Sequence, residues 1–392
     1  MSRIAIINSH PIQYFAPLYA AMNAEDDLKV SAYYMSDVSI RGELDSGFGQ
    51  AVQWDVDLLR GYEAHFIKGA TRRKPSGFFS VPGWDLWREL RRKKYDATLV
   101  HGYRYMANIV AVLASKSVRR PIFVRGETTL LLRRTGFRSK LRAAALSFLY
   151  RQFDGVLAIG SLNAEFYRSL GVPESKITLV PYTVDNERFR TASLMTDNER
   201  RALRQELGLV PDVPVVVYAS KLQARKHPDS VIRSAELLVQ AGFPVQVLLI
   251  GSGEMDQSLR LLASQQTVHV SFTGFVNQSL LPRYLGAGDV FVLPSEEEPW
   301  GLIVNEAMCA GLPVVVGQHA GCVADLVTDG YNGFAVTPGD DQELAMRLRQ
   351  ILSDANTLSS MSANSRERIS TWSYAQCVSG WRSALDKVAR PA

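Results

Sequence analysis

Residues 294–311 read Pro-Ser-Glu-Glu-Glu-Pro-Trp-Gly-Leu-Ile-Val-Asn-Glu-Ala-Met-Cys-Ala-Gly, the chain's densest group of side chains able to do chemistry. The sequence predicts a helix that starts near Trp300, just after Pro299, and ends at Gly311. Proline is tolerated in a first helical turn, and glycine suits a C-terminal cap. Glu298 would then precede the helix, and Glu306 would lie almost two turns into it, roughly 9 Å away along the axis at ~1.5 Å per residue. Two carboxylates so spaced can hold a sugar and a ribose, with a diphosphate between them. The free N–H groups of Gly301, Leu302 and Ile303 would face the same ligand, because a helix N-terminus attracts anions. A glutamate triplet alone is more often a solvated acidic turn, so the reading rests on its companions.

Three companions precede it. Ala219-Ser220-Lys221-Leu222-Gln223-Ala224-Arg225-Lys226-His227-Pro228 follows an apolar run, and its cations Lys221 and Lys226 can neutralise a leaving diphosphate without a metal. Gly251-Ser252-Gly253 is a glycine turn after another apolar run. In Phe272-Thr273-Gly274-Phe275-Val276, Gly274 allows close backbone approach to a flat base. Each is weak by itself: a basic loop and a lone Gly-x-Gly are common.

The elements that must position these residues follow from hydrophobic patterning. Ile4–Ile7, Val30–Tyr34, Ala97–Val100, Pro121–Val124, Val156–Ile159 and Ile177–Val180 read as buried strands. Helical stretches lie between them, at Ala16–Met22, Trp84–Lys94, Ala107–Ser115 and Leu162–Leu170. The second half repeats this grammar with strands Val213–Tyr218, Val245–Ile250, Val268–Thr273, Val290–Leu293 and Pro313–Val316. Such alternation predicts an α/β fold of two Rossmann-like, doubly wound domains facing an interdomain cleft. The boundaries read as 1–185, 186–370 and a C-terminal helix over 371–392 that packs back on the first domain. Trp372 and Trp381 fall on the apolar side of that final helix.

In their order along the chain, these motifs resemble those of the retaining glycosyltransferases of family 4, which have the GT-B fold. That family carries a phosphate loop, a Gly-x-Gly turn, a Phe-x-Gly segment and then Glu-x7-Glu. Here they read Ser220-Lys221-Leu222…Lys226-His227, Gly251-Ser252-Gly253, Phe272-Thr273-Gly274 and Glu298…Glu306. Val180-Pro181-Tyr182-Thr183-Val184-Asp185…Phe189 and Asp329-Gly330-Tyr331-Asn332-Gly333-Phe334 match as well. The resemblance implies transfer of a sugar from a nucleotide-sugar to an acceptor, with the anomeric configuration retained and no metal or other cofactor. It implies Glu298 on the donor sugar, Glu306 on the ribose, Lys221 and Lys226 on the diphosphate, and N–H groups from Gly301, Leu302 and Ile303. Gly251, Gly253, Phe275 and Val276 complete the donor site, with Pro299 and Trp300 shaping the sugar pocket. The transition state is oxocarbenium-like, so nearby carboxylate and diphosphate charge favours it.

The chain departs from the family in three places. Lys221 stands where the family has arginine and lacks the bidentate fork. The strand Pro121–Val124 runs into Arg125-Gly126-Glu127-Thr128, where relatives often have a histidine. Arg125 is therefore a candidate for the acceptor cleft, and Glu127 a candidate catalytic group or the partner of Arg125. The first strand leads into Asn8-Ser9-His10-Pro11-Ile12-Gln13-Tyr14 in place of a glycine-rich turn. Ser9, His10 and Gln13 become cleft candidates there, and His101, ending another strand, a further catalytic one. Asp55-Val56-Asp57 has the Asp-x-Asp form of a metal site but not its strand context, so no metal is expected. Asp45–Gly49 and Trp54–Tyr62 read as an inserted loop of the first domain that shapes the acceptor site.

Composition sets the outer limits. The chain has 392 residues, 46% hydrophobic and 21% charged, which excludes disorder, collagen and coiled coil as whole-chain readings. Net charge is +5 overall, but residues 1–190 hold 28 Lys and Arg against 18 Asp and Glu, and the remainder hold 16 against 21. A basic first half suits nucleic acid, phosphorylated substrates or an anionic membrane face. Leu130–Arg134, Arg138–Arg142 and Ala143–Tyr150, with Phe78, Phe79, Trp84, Trp87 and Arg88–Lys94, mix cations with apolar residues. They point to peripheral contact at the inner face of the plasma membrane. Three scattered cysteines and an N-terminus without signal-peptide features point to the cytoplasm. The expected partners are a nucleotide-sugar and a glycan, lipid-linked or small-molecule acceptor, in polysaccharide or glycoconjugate biosynthesis. The alternatives are a nucleotide-sugar epimerase on the same scaffold and, more remotely, a nucleic-acid-binding protein. The second lacks the aromatic and basic platforms of a known nucleic-acid fold, so no nucleic-acid partner is expected.

Overall fold

Short apolar runs, bounded by turns and buried on both faces, build two parallel sheets. The computed structural model describes residues 1–389 apart from 46, 72–74 and 133–136, and only the backbone of 71, 132 and 137–141. It divides into two units. The first comprises Met1–Glu43, Val52–Thr183 and the C-terminal segment from Tyr374; the second comprises Leu44–Ala51 and Val184–Ser373.

The strands are β1 (Ser2–Asn8), β2 (Leu28–Ser36), β3 (Glu43–Asp45), β4 (Gln50–Val52), β5 (Glu63–Thr71), β6 (Ala97–His101), β7 (Ile122–Arg125), β8 (Gly155–Ala158), β9 (Ile177–Leu179), β10 (Val215–Ala219), β11 (Gln246–Ile250), β12 (His269–Gly274), β13 (Val290–Leu293), β14 (Val314–Gly317) and β15 (Gly333–Val336). The first sheet is ordered β5-β2-β1-β6-β7-β8-β9 and the second β12-β11-β10-β13-β14-β15, with β3-β4 a separate two-stranded pair. Pairing within both large sheets is parallel. Continuous apolar strands result: Ile4–Ile7 and Val215–Tyr218 are fully buried, as helices covering both faces require.

In each sheet the winding direction reverses beside the first strand laid down, between β1 and β6 and between β10 and β13. Chain leaving such a reversal splays apart and leaves a crevice at the strands' carboxyl ends. Asp289 anchors the second reversal. It accepts from Arg200 and Arg204 at 2.8 and 2.7 Å and from the Val215 N–H at 2.7 Å, tying the start of β10 to that of β13.

The C-terminal helix Tyr374–Ala389 belongs to the first unit and packs on β8, β9 and the helix Phe15–Ala24. Its Trp381 is buried 5.9 Å from the Phe123 ring, and Arg382 clasps Glu25 and Asp27. Gly380 lets it lie close: a Cβ there would stand 2.4 Å from the Leu179 carbonyl.

Three readings change, and one turn is newly defined. Trp372 lies before the final helix, in the second unit, stacked on Trp300 at 5.7 Å. β5 and β15 are strands that the patterning missed; β5 is an edge strand punctuated by His65 and Lys68, and β15 spans only Gly333–Val336. Residues 44–51 interrupt the first unit's chain but pack with the second unit. The turn after β10 is a 3-10 turn over Ala224–Lys226 that leads through His227 at φ 48° into the helix Pro228–Gln240.

Candidate functional site

The loops leaving β10 and β13 flank the second unit's reversal, and they are laced together. The Glu296 N–H donates to the Arg225 carbonyl at 2.9 Å, and Arg225 Nη1 donates to the Glu297 carbonyl at 2.7 Å. At their centre Lys226 Nζ lies 2.6 Å from Glu298 Oε2 and 2.8 Å from Ser220 Oγ. Both charged side chains are largely buried, at 10% and 14% exposure. Burying a charge pair costs desolvation that only good geometry offsets. A mostly buried lysine and glutamate at the topological reversal of a sheet are therefore a costly arrangement, and their mutual contact is what offsets it. Burial and the adjacent Glu298 carboxylate also push the Cys322 thiol well above its usual range. Cys309 is raised likewise, by burial and then Glu306, and both thiols are buried.

The helix after this loop is Leu302–Cys309, later and shorter than expected. Gly301 sits at φ 97°, a conformation that stops the helix extending back to Trp300. The amides of Gly301, Leu302 and Ile303 thus lie at its start; the Gly301 carbonyl accepts from Val304. Pro299 is half-buried, and the buried Trp300 donates through Nε1 to Asn305 Oδ1 at 3.0 Å. Glu298 is held outside the helix by a bridge to Ala320. Glu306, inside the helix, is fully buried, and Gln278 Nε2 approaches its Oε1 at 3.4 Å. Arg188 fixes Gln278, donating to its carbonyl at 2.6 Å and its Oε1 at 2.9 Å. Sequence reasoning missed Gln278 and Arg188: both lie in polar stretches that look like ordinary surface.

Gly251 and Gly253 are required by their neighbours. A Cβ on Gly251 would stand 2.0 Å from the Ser220 carbonyl oxygen, and one on Gly253 2.5 Å from that of Leu222. The Gly-x-Gly turn therefore presses the β11 end against the lysine loop. Phe275 and Val276 follow β12, half-buried, with Phe48 edge-on to Phe275 at 4.9 Å. Lys221, in the same loop as Lys226, has a different partner. Its Nζ lies 2.7 Å from Asp45 Oδ1.

The first unit's reversal carries different chemistry. Asn8 Nδ2 donates to Tyr19 Oη at 3.4 Å, and Tyr19 Oη lies 3.1 Å from His101 Nε2. With Asn8 donating, Tyr19 can donate in turn, which places the imidazole proton on Nδ1. Burial and then the Arg125 cation push the His101 imidazole down to about 3, so it is neutral. The Phe15 ring lies 4.5 Å from it. Arg125, 4% exposed, sits over the rings of Phe15 and Tyr182 and donates to the Pro181 carbonyl at 3.1 Å. Glu127 accepts from Tyr182 Oη at 2.7 Å. Ser9 Oγ bonds His10 Nδ1 at 2.9 Å, and Gln13 is half-buried in the same loop.

Among the described residues no group of three or more His, Cys, Asp or Glu side chains is arranged to hold a metal. Asp57, of the Asp-x-Asp sequence, accepts from the Leu59 N–H at 3.1 Å.

Residues 199–368 match the family model of glycosyl transferases group 1, and residues 47–183 that of the glycosyl transferase 4-like domain. The chain is a GT-B-fold relative of these glycosyltransferase families. It is 30% identical over 203 residues to a GDP-mannose-dependent monoacylated α-(1-6)-phosphatidylinositol monomannoside mannosyltransferase of Corynebacterium glutamicum, covering 50% of this chain and 52% of that one. It is 27% identical over 328 residues to a D-inositol 3-phosphate glycosyltransferase of Xylanimonas cellulosilytica, covering 80% and 73%. The chain spans only about half the length of several curated relatives, including the first of these two. In fold it matches Anabaena HepE, solved with UDP-glucose, at a TM-score of 0.73, 21% identity and coverage of 98% and 100%.

Proposed function

We propose that the protein is a retaining glycosyltransferase that moves a sugar from a nucleotide-sugar to an acceptor without a metal. The observation that carries this reading is the Lys226–Glu298–Ser220 group at the reversal of the second sheet, beside the start of a helix. Lys226, with Lys221, supplies positive charge for the leaving diphosphate. Glu298 faces the donor sugar, and Glu306 takes the ribose. The amides of Gly301, Leu302 and Ile303 add fixed dipoles, and Pro299 and Trp300 shape the sugar pocket. Preorganised charge of this kind stabilises an oxocarbenium-like transition state. Relatives named for GDP-mannose and for UDP-glucose leave the donor base open.

The acceptor side belongs to the first unit. His101 is neutral and bonded to Tyr19, so it acts as a fixed polar contact and not as a titrating base near neutral pH. Ser9, His10, Gln13, Arg125 and Glu127 are the remaining acceptor candidates. Phe78, Phe79 and Trp84 are 43%, 74% and 65% exposed, and the helix that Trp84 begins also exposes Arg88, Arg91 and Arg92. That patch suits peripheral contact with an anionic membrane and a lipid-linked acceptor. The basic run at Arg133 and Arg134 lies outside the described residues. No described helix is long and apolar enough to cross a membrane.

Turnover tests the reading. The purified protein is incubated in EDTA with UDP-, GDP-, ADP- and TDP-sugars and a panel of glycan and lipid acceptors. Proton NMR of the product should show the donor's anomeric configuration. An inverted product, or isomerisation of the donor with no acceptor present, would contradict it.

A further inference from the structure

The motifs assigned to the donor are already touched by a segment far away in sequence. Residues 44–51 carry the turn of the β3–β4 pair and belong to the second unit. Three contacts dock them. Asp45 Oδ1 lies 2.7 Å from Lys221 Nζ, in the lysine loop. The Phe48 carbonyl accepts from Ser252 Oγ at 2.9 Å, inside the Gly-x-Gly turn. The Phe48 ring lies edge-on to Phe275 at 4.9 Å and under Lys221 Nζ at 4.6 Å. Gly47 fits between: a Cβ there would stand 2.6 Å from Lys221 Cδ.

These contacts resemble in kind what a nucleoside diphosphate offers. An anion meets Lys221, and a flat apolar ring meets Phe275. Asp45 is also preorganised as an acceptor, since the N–H groups of Gly47 and Phe48 donate to its Oδ1 at 2.8 and 3.3 Å. Burial opposes the charge, but Lys221 and those amides hold the Asp45 carboxyl below the usual carboxylate range. The latch is weak enough to open: Lys221 and Asp45 are 31% and 36% exposed, the regime of exposed ion pairs.

We propose that residues 44–51 form a strap occupying the donor site, and that Asp45 selects diphosphate-bearing ligands by holding Lys221 until a stronger anion displaces it. The inference rests on the donor-site reading above. A diphosphate carries more charge than one carboxylate and displaces Asp45; a nucleoside carries none and leaves the strap in place. Monophosphates fall between.

The test is calorimetric titration of the full chain and its Asp45→Asn variant with UDP, GDP, ADP and TDP, and with the matching monophosphates. Asparagine keeps the shape and removes the charge. The strap predicts that Asp45→Asn binds its nucleoside diphosphate about two- to fivefold more tightly than the native chain, the scale of a half-exposed ion pair. Hydrogen exchange provides a second readout in the native chain: the Gly47 and Phe48 amides should lose protection when the diphosphate is added. Equal or weaker binding by Asp45→Asn, or a gain of protection, overturns the strap and leaves the donor site standing. Absence of binding by both proteins to all four diphosphates overturns the strap and the donor-site reading together.

Discussion

The two units wind their sheets the same way, and each places its side chains at the same topological reversal, yet the chemistry placed there is opposite. Beside β10 and β13 sits a mostly buried ion pair, Lys226–Glu298, with a hydroxyl at Ser220. Beside β1 and β6 sits a neutral relay, Asn8–Tyr19–His101, walled by Phe15. Fold alone therefore does not assign function. A site with opposed charges in low dielectric suits a group that bears charge as it leaves. A site of aromatic rings and neutral donors suits an uncharged hydroxyl-rich partner. Arg125, near the first reversal, directs its guanidinium to two rings and a backbone carbonyl.

The largest break in this contrast should come from the ion pair. Glu298→Gln should lower kcat/KM by roughly 10²–10³, the usual cost of removing one preorganised electrostatic contact. Steady-state transfer assays check this, and full turnover by the variant would remove Glu298 from the chemistry. Gln278→Leu should act more mildly and mainly on KM. It frees Glu306 from its neighbour without touching Lys226, so donor affinity should fall several-fold while kcat changes little.

The neutral relay predicts a pH signature. The His101 imidazole titrates near 6.5 when unfolded and at about 3 when folded. Between those values the unfolded chain binds a proton that the folded chain does not, so stability rises with pH. The contribution is complete above about pH 6.5 and declines as pH falls toward 3. Urea unfolding at pH 7 and pH 5 should therefore differ by about 1–2 kcal/mol more in the native chain than in His101→Gln. An identical pH dependence in both would show His101 to be solvated. The smallest expected effect is that of Arg125→Lys, which keeps the charge and loses the planar face between Phe15 and Tyr182. A loss of about 1 kcal/mol is expected from urea unfolding.

The contrast was unevenly legible in the sequence. Strands such as Ile4–Ile7 and Val215–Tyr218 announced themselves because strands buried on both faces read as unbroken apolar runs. β5 did not, because an edge strand tolerates His65 and Lys68. The order of the motifs singled out Lys226 and Glu298, since each lies in the loop that follows such a run. The start of the helix at Leu302 was hidden in the backbone freedom of Gly301. The partners of Lys221 and Glu306 were hidden for another reason: Asp45 and Gln278 lie far off in sequence, and their pairing is a property of packing. The neutral state of His101 likewise depends on Phe15, Tyr19 and Arg125 arriving from separate elements.

The central claim is that donor recognition resides in the charged reversal of the second unit and needs no metal. Its most direct test is calorimetric titration with UDP-, GDP-, ADP- and TDP-sugars in EDTA, for the native chain, Lys226→Met and His101→Gln. The account predicts that one donor binds the native chain and His101→Gln alike in EDTA and binds Lys226→Met at least tenfold more weakly. Donor binding that vanishes with EDTA, or that survives unchanged in Lys226→Met, would contradict it.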